Sequence, residues 1–379
     1  MPKQQLNDKD RIFGLDLMRA TAILMVLSAH CIWIFPGESG TFSQILALSG
    51  FLGVEIFFVL SGFLIGRILF RLFTKEEFKL VSVISFLKRR WYRTLPNYFL
   101  ILLVNIAIAY MIGYGIENLW RYFFFIQNFG TPMPAFFPES WSLSVEEYAY
   151  VFLPFILLAV ALSRTNRSTI FLVITLLLIV LCIGAKILYH VQTKNTSLEQ
   201  WNVALKAVVI FRLDSIFIGV LFSWIFSMYH QIWVRTKYFW LAGGIFMMCF
   251  FTAGVGFLRL TLDNYPIFWN VIYLPAASLA IAFFLPFLSE WKTEKPFIRR
   301  PITFISLISY SIYLLHYSVI LQTLKQIVDT EKLSSVMIVA FTVFYVATTF
   351  VLSYLLYTFY ERPMMERRES KAAGDPAIT

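Results

Sequence analysis

Ten apolar runs, each close to or above the roughly 20 residues that a helix needs to cross a hydrocarbon core, follow one another along this chain. They cover residues 13–36, 44–70, 95–113, 141–163, 168–190, 206–228, 238–257, 268–288, 302–325 and 336–360. A bilayer offers no water to backbone N–H and C=O groups, so each run must satisfy its own, as an α-helix does. The composition agrees: 59% of residues are hydrophobic and 14% charged, where a soluble domain carries about 25% charged residues. The expected fold is therefore all-α and polytopic, with about ten transmembrane helices over 1–365. A polar, disordered cytoplasmic tail is expected over 366–379.

The basic residues orient the bundle. Counted by alternate loops, 22 Lys and Arg fall on one side and six on the other, which puts both termini in the cytoplasm. The net charge of +10 thus belongs to topology and to contact with membrane lipids, and nucleic acid is not an expected partner. Between runs two and three, Ser82 to Arg93 reads as a basic amphipathic stretch at the interface, and Leu119 to Phe129 as an aromatic stretch at the opposite surface. The first run carries Asp16 and Arg19 and lacks a cleavage site after it, so it is read as a retained helix. Cys31, Cys182 and Cys249 all lie in apolar runs with no zinc or disulfide spacing, and no metal is expected.

Ionisable groups inside spanning helices are costly and mark function by default. Arg19 and His30 are eleven residues apart, close to three whole turns, so they share one face about 16 Å apart along the axis. Asp16 lies one turn before Arg19 and can pair with it. Glu146 and Glu147 open the fourth helix from outside, at about the expected depth of His30. Adjacent helical residues diverge, so at most one of them faces the histidine. Arg212 and Asp214 begin the sixth helix, and the ninth carries Tyr310, Tyr313, His316 and Tyr317. The common depth of these groups predicts a polar cavity opening outward. On the cytoplasmic side Lys88, Arg89, Arg90 and Arg93, with Arg67 and Arg71 before them, could anchor the topology or clamp phosphate.

These residues together resemble membrane acyltransferase family 3. The resemblance rests on Arg19-x10-His30, on Phe57-Phe58-Val59-Leu60-Ser61-Gly62-Phe63 and on Arg89-Arg90-Trp91-Tyr92-Arg93-Thr94-Leu95-Pro96. It continues with Trp141-Ser142-Leu143-Ser144-Val145-Glu146-Glu147, Arg212-Leu213-Asp214, Tyr310 to His316 and Tyr360-Glu361-Arg362-Pro363. Any one motif is weak, but seven in order span nearly the whole chain. The resemblance implies a multi-pass protein of a bacterial-type cell membrane that moves an acyl group, acetyl by default, from cytosolic acyl-CoA to a hydroxyl of an envelope or exported glycan. Many members append an extracytoplasmic esterase-like domain. None is evident here, so the chain would act alone or hand its acyl group to a separate transferase partner.

The expected roles follow. His30 is the general base, with Glu146, Arg19 and Asp16 in its catalytic set. Arg90, Arg93, Arg89 and Arg67 hold the phosphates of the donor. Arg212, Asp214, His316, Tyr310 and Trp141 shape the acceptor or thioester side. A transporter or flippase would use the same buried charges without chemistry, but transporters often show repeat symmetry and none is visible here. A structural subunit would not need them. The topology predicts that cysteines at Ser39 and Lys79, in a background without native cysteines, will label with an impermeant reagent from opposite faces. Labelling of both from one face would overturn the helix count.

Overall fold

The computed structural model describes residues 11–35, 40–74, 78–161, 166–193, 195, 197–293 and 295–366. The label position Ser39 and most of the tail lie outside the described residues. Among those described, nine helices are long and apolar enough to cross a membrane, and a tenth, shorter one is apolar. In chain order they are α1 Phe13–Ile34, α2 Ser43–Thr74, α3 Leu80–Met111, α4 Ser140–Ala159 and α5 Arg167–Gln192. The second half holds α6 Leu213–Met228, α7 His230–Phe257, α8 Phe268–Leu288, α9 Pro296–Ile327 and α10 Ser335–Glu366. The protein is an all-α polytopic membrane protein.

Several boundaries differ from the sequence reading, α7 starting at His230 and α9 at Pro296 among them, and two of the differences have a visible reason. The basic stretch Ser82 to Arg93 is not a separate interfacial element but the first third of α3. Val83, Phe86 and Leu87 recur at helical spacing and bury in the core, so the amphipathic face is held by the bundle. Pro96 sits inside this helix and removes only the backbone bond to Tyr92. The sixth helix begins at Leu213, not at 206. The backbone before it is occupied elsewhere: Val209 N–H donates to Asn128 O (3.0 Å) and Ile210 N–H to Phe129 O (3.2 Å). A π-helical turn, Asn202–Lys206, and a 3-10 turn, Val209–Phe211, carry the chain across the outer end instead.

The segment before α4 also folds inward. Gln127 and Asn128 are fully buried, and Gln127 donates to Ser140 Oγ (3.1 Å) and Ser144 Oγ (2.8 Å). Tyr122 is buried as well and donates to Phe136 O. The first turns of α4 therefore lie under a protein lid, below the outer surface.

The closest contact in the bundle joins α2 to α6. Apolar side chains gain nothing by leaving lipid for each other, so membrane helices associate through close backbone approach at small residues. Gly62 and Gly66 lie one turn apart on α2, and Gly219 and Ser223 one turn apart on α6. A Cβ on Gly62 would stand 1.9 Å from Ile216 O, and one on Gly219 would stand 2.2 Å from Val59 O. Both obstacles are backbone and cannot rotate away. Gly62→Val should therefore separate the two helices and cost about 1–3 kcal/mol or more, read as a lower melting temperature of the detergent-purified protein. Gly115→Val, where nothing lies within 4 Å, is the control that should leave it unchanged.

Candidate active site

Ionisable residues from seven helices lie inside the bundle in three groups. The first surrounds a cavity of about 90 Å³, with room for several waters. Arg19 of α1, Arg90 and Arg93 of α3, and Glu146 and Tyr150 of α4 line it, with Ser61, Tyr310 and Tyr313. Three cations thus converge on one carboxylate. Glu146 Oε2 accepts from Tyr150 OH (2.7 Å), and that hydroxyl in turn takes the proton of Ser61 Oγ–H at 2.7 Å. Arg90 lies 5.7 Å above the Tyr150 ring. Tyr310 OH donates to Thr94 O (2.8 Å) and ties α9 to α3.

The second group is a pair of histidines above this cavity. His30 and His316 meet ring to edge with centroids 4.6 Å apart, and Tyr317 packs 4.7 Å from His30. His30 Nδ1 lies 2.8 Å from Val26 O, and His316 Nδ1 lies 2.7 Å from Tyr313 O. A carbonyl can only accept, so in both rings Nδ1 carries the proton and Nε2 presents a lone pair. His316 Nε2 is buried and has no hydrogen-bond partner among the described residues. His316 opens a π-helical stretch, His316–Leu321, an irregularity that is frequent at functional sites. Ser318, two residues on, gives both its backbone N–H and its hydroxyl to Glu139 Oε1. Tyr313 joins the two groups. It lines the cavity, its ring is 5.7 Å from that of His316, and its hydroxyl pairs with Ser142 Oγ at 2.6 Å.

The third group is ionic and closed. Arg212 pairs with Glu55 of α2, and Lys186 of α5 pairs with Asp214, all four fully buried. Ser278 of α8 donates to Glu55 Oε2 at 2.7 Å. None of the four lines the cavity.

Against the sequence reading, several placements change. Asp16 does pair with Arg19, at 3.8 Å, but takes a shorter, two-point contact from Arg11 (2.5 and 2.9 Å). Arg19 also lines the cavity. Glu146 lies in the layer of Arg19, Arg90 and Arg93, not in that of His30, because the folded-in segment before α4 lowers the whole helix. It makes no hydrogen bond to His30 among the described residues. Glu147 points the other way, accepting from Trp91 Nε1 (3.1 Å) and Thr94 Oγ1 (2.8 Å), so the two neighbours do diverge. Arg67 leaves the donor side and stands 4.4 Å above Phe226, and Arg89 is exposed beyond the cavity lining. Arg212 and Asp214 already answer buried countercharges. Trp141 packs edge-on to Phe58 at 5.6 Å. Sequence reasoning missed Glu55, Lys186, Glu139 and Tyr150. The first two were within reach, since each is an ionisable residue in the middle of an apolar run.

A family model described as an acyltransferase domain matches residues 12–358. The peptidoglycan O-acetyltransferase OatA of Listeria monocytogenes is 27% identical over 373 residues, 93% of this chain and 55% of its own length. YrhL of Bacillus subtilis, which bears the name of peptidoglycan O-acetyltransferase provisionally, is 29% identical over 198 residues, 47% of this chain and 28% of its own. A Staphylococcus aureus protein provisionally named an O-acetyltransferase is 28% identical over 174 residues, 41% of this chain and 26% of its own. The chain spans about half the length of the Listeria relative and smaller shares of the other two. No solved structure matches it significantly.

The closed ion pairs carry a test. Removing one member of a buried pair strands the other charge and costs about 3–5 kcal/mol, whereas replacing both with apolar residues is often neutral. Lys186→Met should sharply lower the melting temperature, and Lys186→Met combined with Asp214→Leu should recover most of the loss. A single variant as stable as the double would mean that Asp214 finds another partner.

Proposed function

Because the chain belongs to the acyltransferase domain family, we propose that it moves an acetyl group from cytosolic acetyl-CoA to a hydroxyl of a peptidoglycan-like glycan on the far side of the membrane. The names of its relatives support the acetyl group and the glycan. One structural observation carries the rest: three arginines converge on a cavity, and the same helix that brings one of them, α1, brings a histidine with a bare Nε2 above it.

Arg90 and Arg93, with Arg19, hold the anionic end of the donor. Arginine suits this because its planar fork meets phosphate oxygens in pairs and never loses its charge. Glu146 sets the orientation of the clamp by competing for the same cations and gives way when phosphate arrives. The pantetheine arm then runs past Tyr313 toward the histidines and places the thioester carbonyl near His30.

At that point the chemistry is acyl transfer between oxygen and sulfur. His30 Nε2 takes the proton of the acceptor hydroxyl as its oxygen attacks the thioester carbon. The C–S bond breaks, the thiolate leaves, and the proton passes from His30 to sulfur, giving the O-acetyl glycan and free CoA. His316 presents a second lone pair to the same space and handles the acceptor side. In the alternative, covalent route, His30 Nε2 itself attacks the thioester carbon and expels the thiolate, and the acceptor hydroxyl then takes the acyl group from nitrogen while its proton passes to the thiolate.

Three variants separate the roles in purified protein. Arg90→Ala with Arg93→Ala should weaken acetyl-CoA binding at unchanged fold. His30→Ala should leave donor affinity intact and reduce transfer by about 10² to 10⁴, the usual worth of a general base. Glu146→Gln should change donor affinity and turnover together. Substantial transfer by the His30 variant would move the role of base to His316. Absence of both transfer and acetyl-CoA hydrolysis in the wild type would remove the enzymatic reading.

A further inference from the structure

Lys206 has no part in the donor cavity or in the ion pairs. It ends the π-helical turn at the outer end of the bundle, and its ammonium lies 5.9 Å from the Phe51 ring and 6.0 Å from the Trp141 ring. Gly50, the neighbour of Phe51, packs on Ala29, the neighbour of His30: a Cβ on Gly50 would stand 2.6 Å from Ala29 Cβ. No carboxylate lies within 4 Å of Lys206 among the described residues, and it makes no hydrogen bond there. The carboxylates buried in this half of the bundle each meet a partner other than Lys206: Glu55 meets Arg212 and Ser278, Asp214 meets Lys186 through Oδ2, and Glu139 meets Ser318 through Oε1.

This placement is built. Asn128, fully buried, donates from one Nδ2 to Trp141 O (3.1 Å) and to Ala207 O (2.7 Å). That single amide fastens the residue after Lys206 to the aromatic residue beneath it. Met133 N–H donates to Val203 O (3.0 Å) and locks the same turn to the loop before α4. Lys206 is half-buried, so it is neither sealed in the core nor swept by bulk water. Topology does not account for it either, since basic residues are concentrated on the other side of the membrane. An ammonium is a compact, strongly hydrated charge with three donors, and two ring faces leave those donors without acceptors.

We infer that Lys206, seated on Phe51 and Trp141 near the His30 end of α1, holds an anion of the acceptor, and that the acceptor is a glycan bearing a carboxylate. This rests on the acyl-transfer reading for the acceptor being a glycan. The aromatic rings take the apolar face of a sugar, the ammonium takes the carboxylate, and a hydroxyl of the same sugar reaches His30 Nε2. Lys206 is thus a specificity-determining residue, and a neutral glycan would forfeit its contact.

Equilibrium binding tests this apart from catalysis. The probes are an oligomer of N-acetylglucosamine and N-acetylmuramic acid with its lactyl carboxylate free, and the same oligomer with that carboxyl reduced to the alcohol. The purified protein should prefer the carboxylate form by about tenfold, weakening with salt. Lys206→Gln should erase the preference, and Lys206→Arg should keep most of it, with acetyl-CoA affinity unchanged in both. Equal binding of the two oligomers by wild type, no binding of either, or a preference that survives Lys206→Gln would each overturn the inference. Transfer assayed in the same preparations reports on the other reading: a Lys206-dependent preference without any transfer would keep the anion site and remove the acetyltransferase.

Discussion

Glu55 and Arg212 meet where no water reaches, and much of the bundle is arranged around that meeting. Either charge alone inside a bilayer would cost several kcal/mol, so neither α2 nor α6 is at rest until they pair. The glycines make the pairing reachable. Gly62 and Gly219 let the two backbones come so close that a methyl group on either would strike a carbonyl. Once α2 and α6 are locked, Ser278 of α8 completes Glu55, and Lys186 of α5 closes on Asp214 two residues from Arg212. Four helices are fixed by charges that take no part in lining the cavity.

A separate set of charges lines the cavity. Asp16 is held closely by Arg11 and Ser306 and at 3.8 Å by Arg19, which also lines the cavity with Arg90, Arg93 and Glu146. Packing three cations around one carboxylate leaves a positive excess in a half-dry space. Such a site favours an anion more than any surface cluster of the same residues could, because the surrounding medium screens it less. Above it, the two histidines are held by their own backbone carbonyls at Nδ1 and keep Nε2 bare. Tyr313 stands between the layers with its hydroxyl on Ser142. The protein thus separates an anion-holding layer from a proton-transferring layer along one helix, α1.

The placement of α4 shows how a small fold detail redirects a site. Read as a helix entering from the outer surface, it sets Glu146 beside His30. In the bundle, Gln127 and Asn128 fold in above it and bond to Ser140, Ser144 and Trp141. The helix is lowered, Glu146 joins the arginines, and Glu139 meets the turn that carries His316. The same inward fold holds Lys206 over Trp141. Loop residues with plain amide side chains decide which carboxylate serves which layer.

The sequence by itself determined the class of fold, the order of the helices, and the residues that had to be partnered or put to use. It could do so because a bilayer punishes every unpaired backbone group and every stray charge, and those penalties are local and legible residue by residue. The shared face of Arg19 and His30 was equally legible, being helix geometry alone. Which charge answers which was not. Asp16 could pair with Arg19 or Arg11, Arg212 could await a substrate or Glu55, and Glu146 could serve a histidine or three arginines. Only the tertiary structure decided these, because partner choice depends on the tilt, depth and rotation of helices far apart in sequence. Those are set by glycine contacts and by a folded-in loop that no periodicity announces.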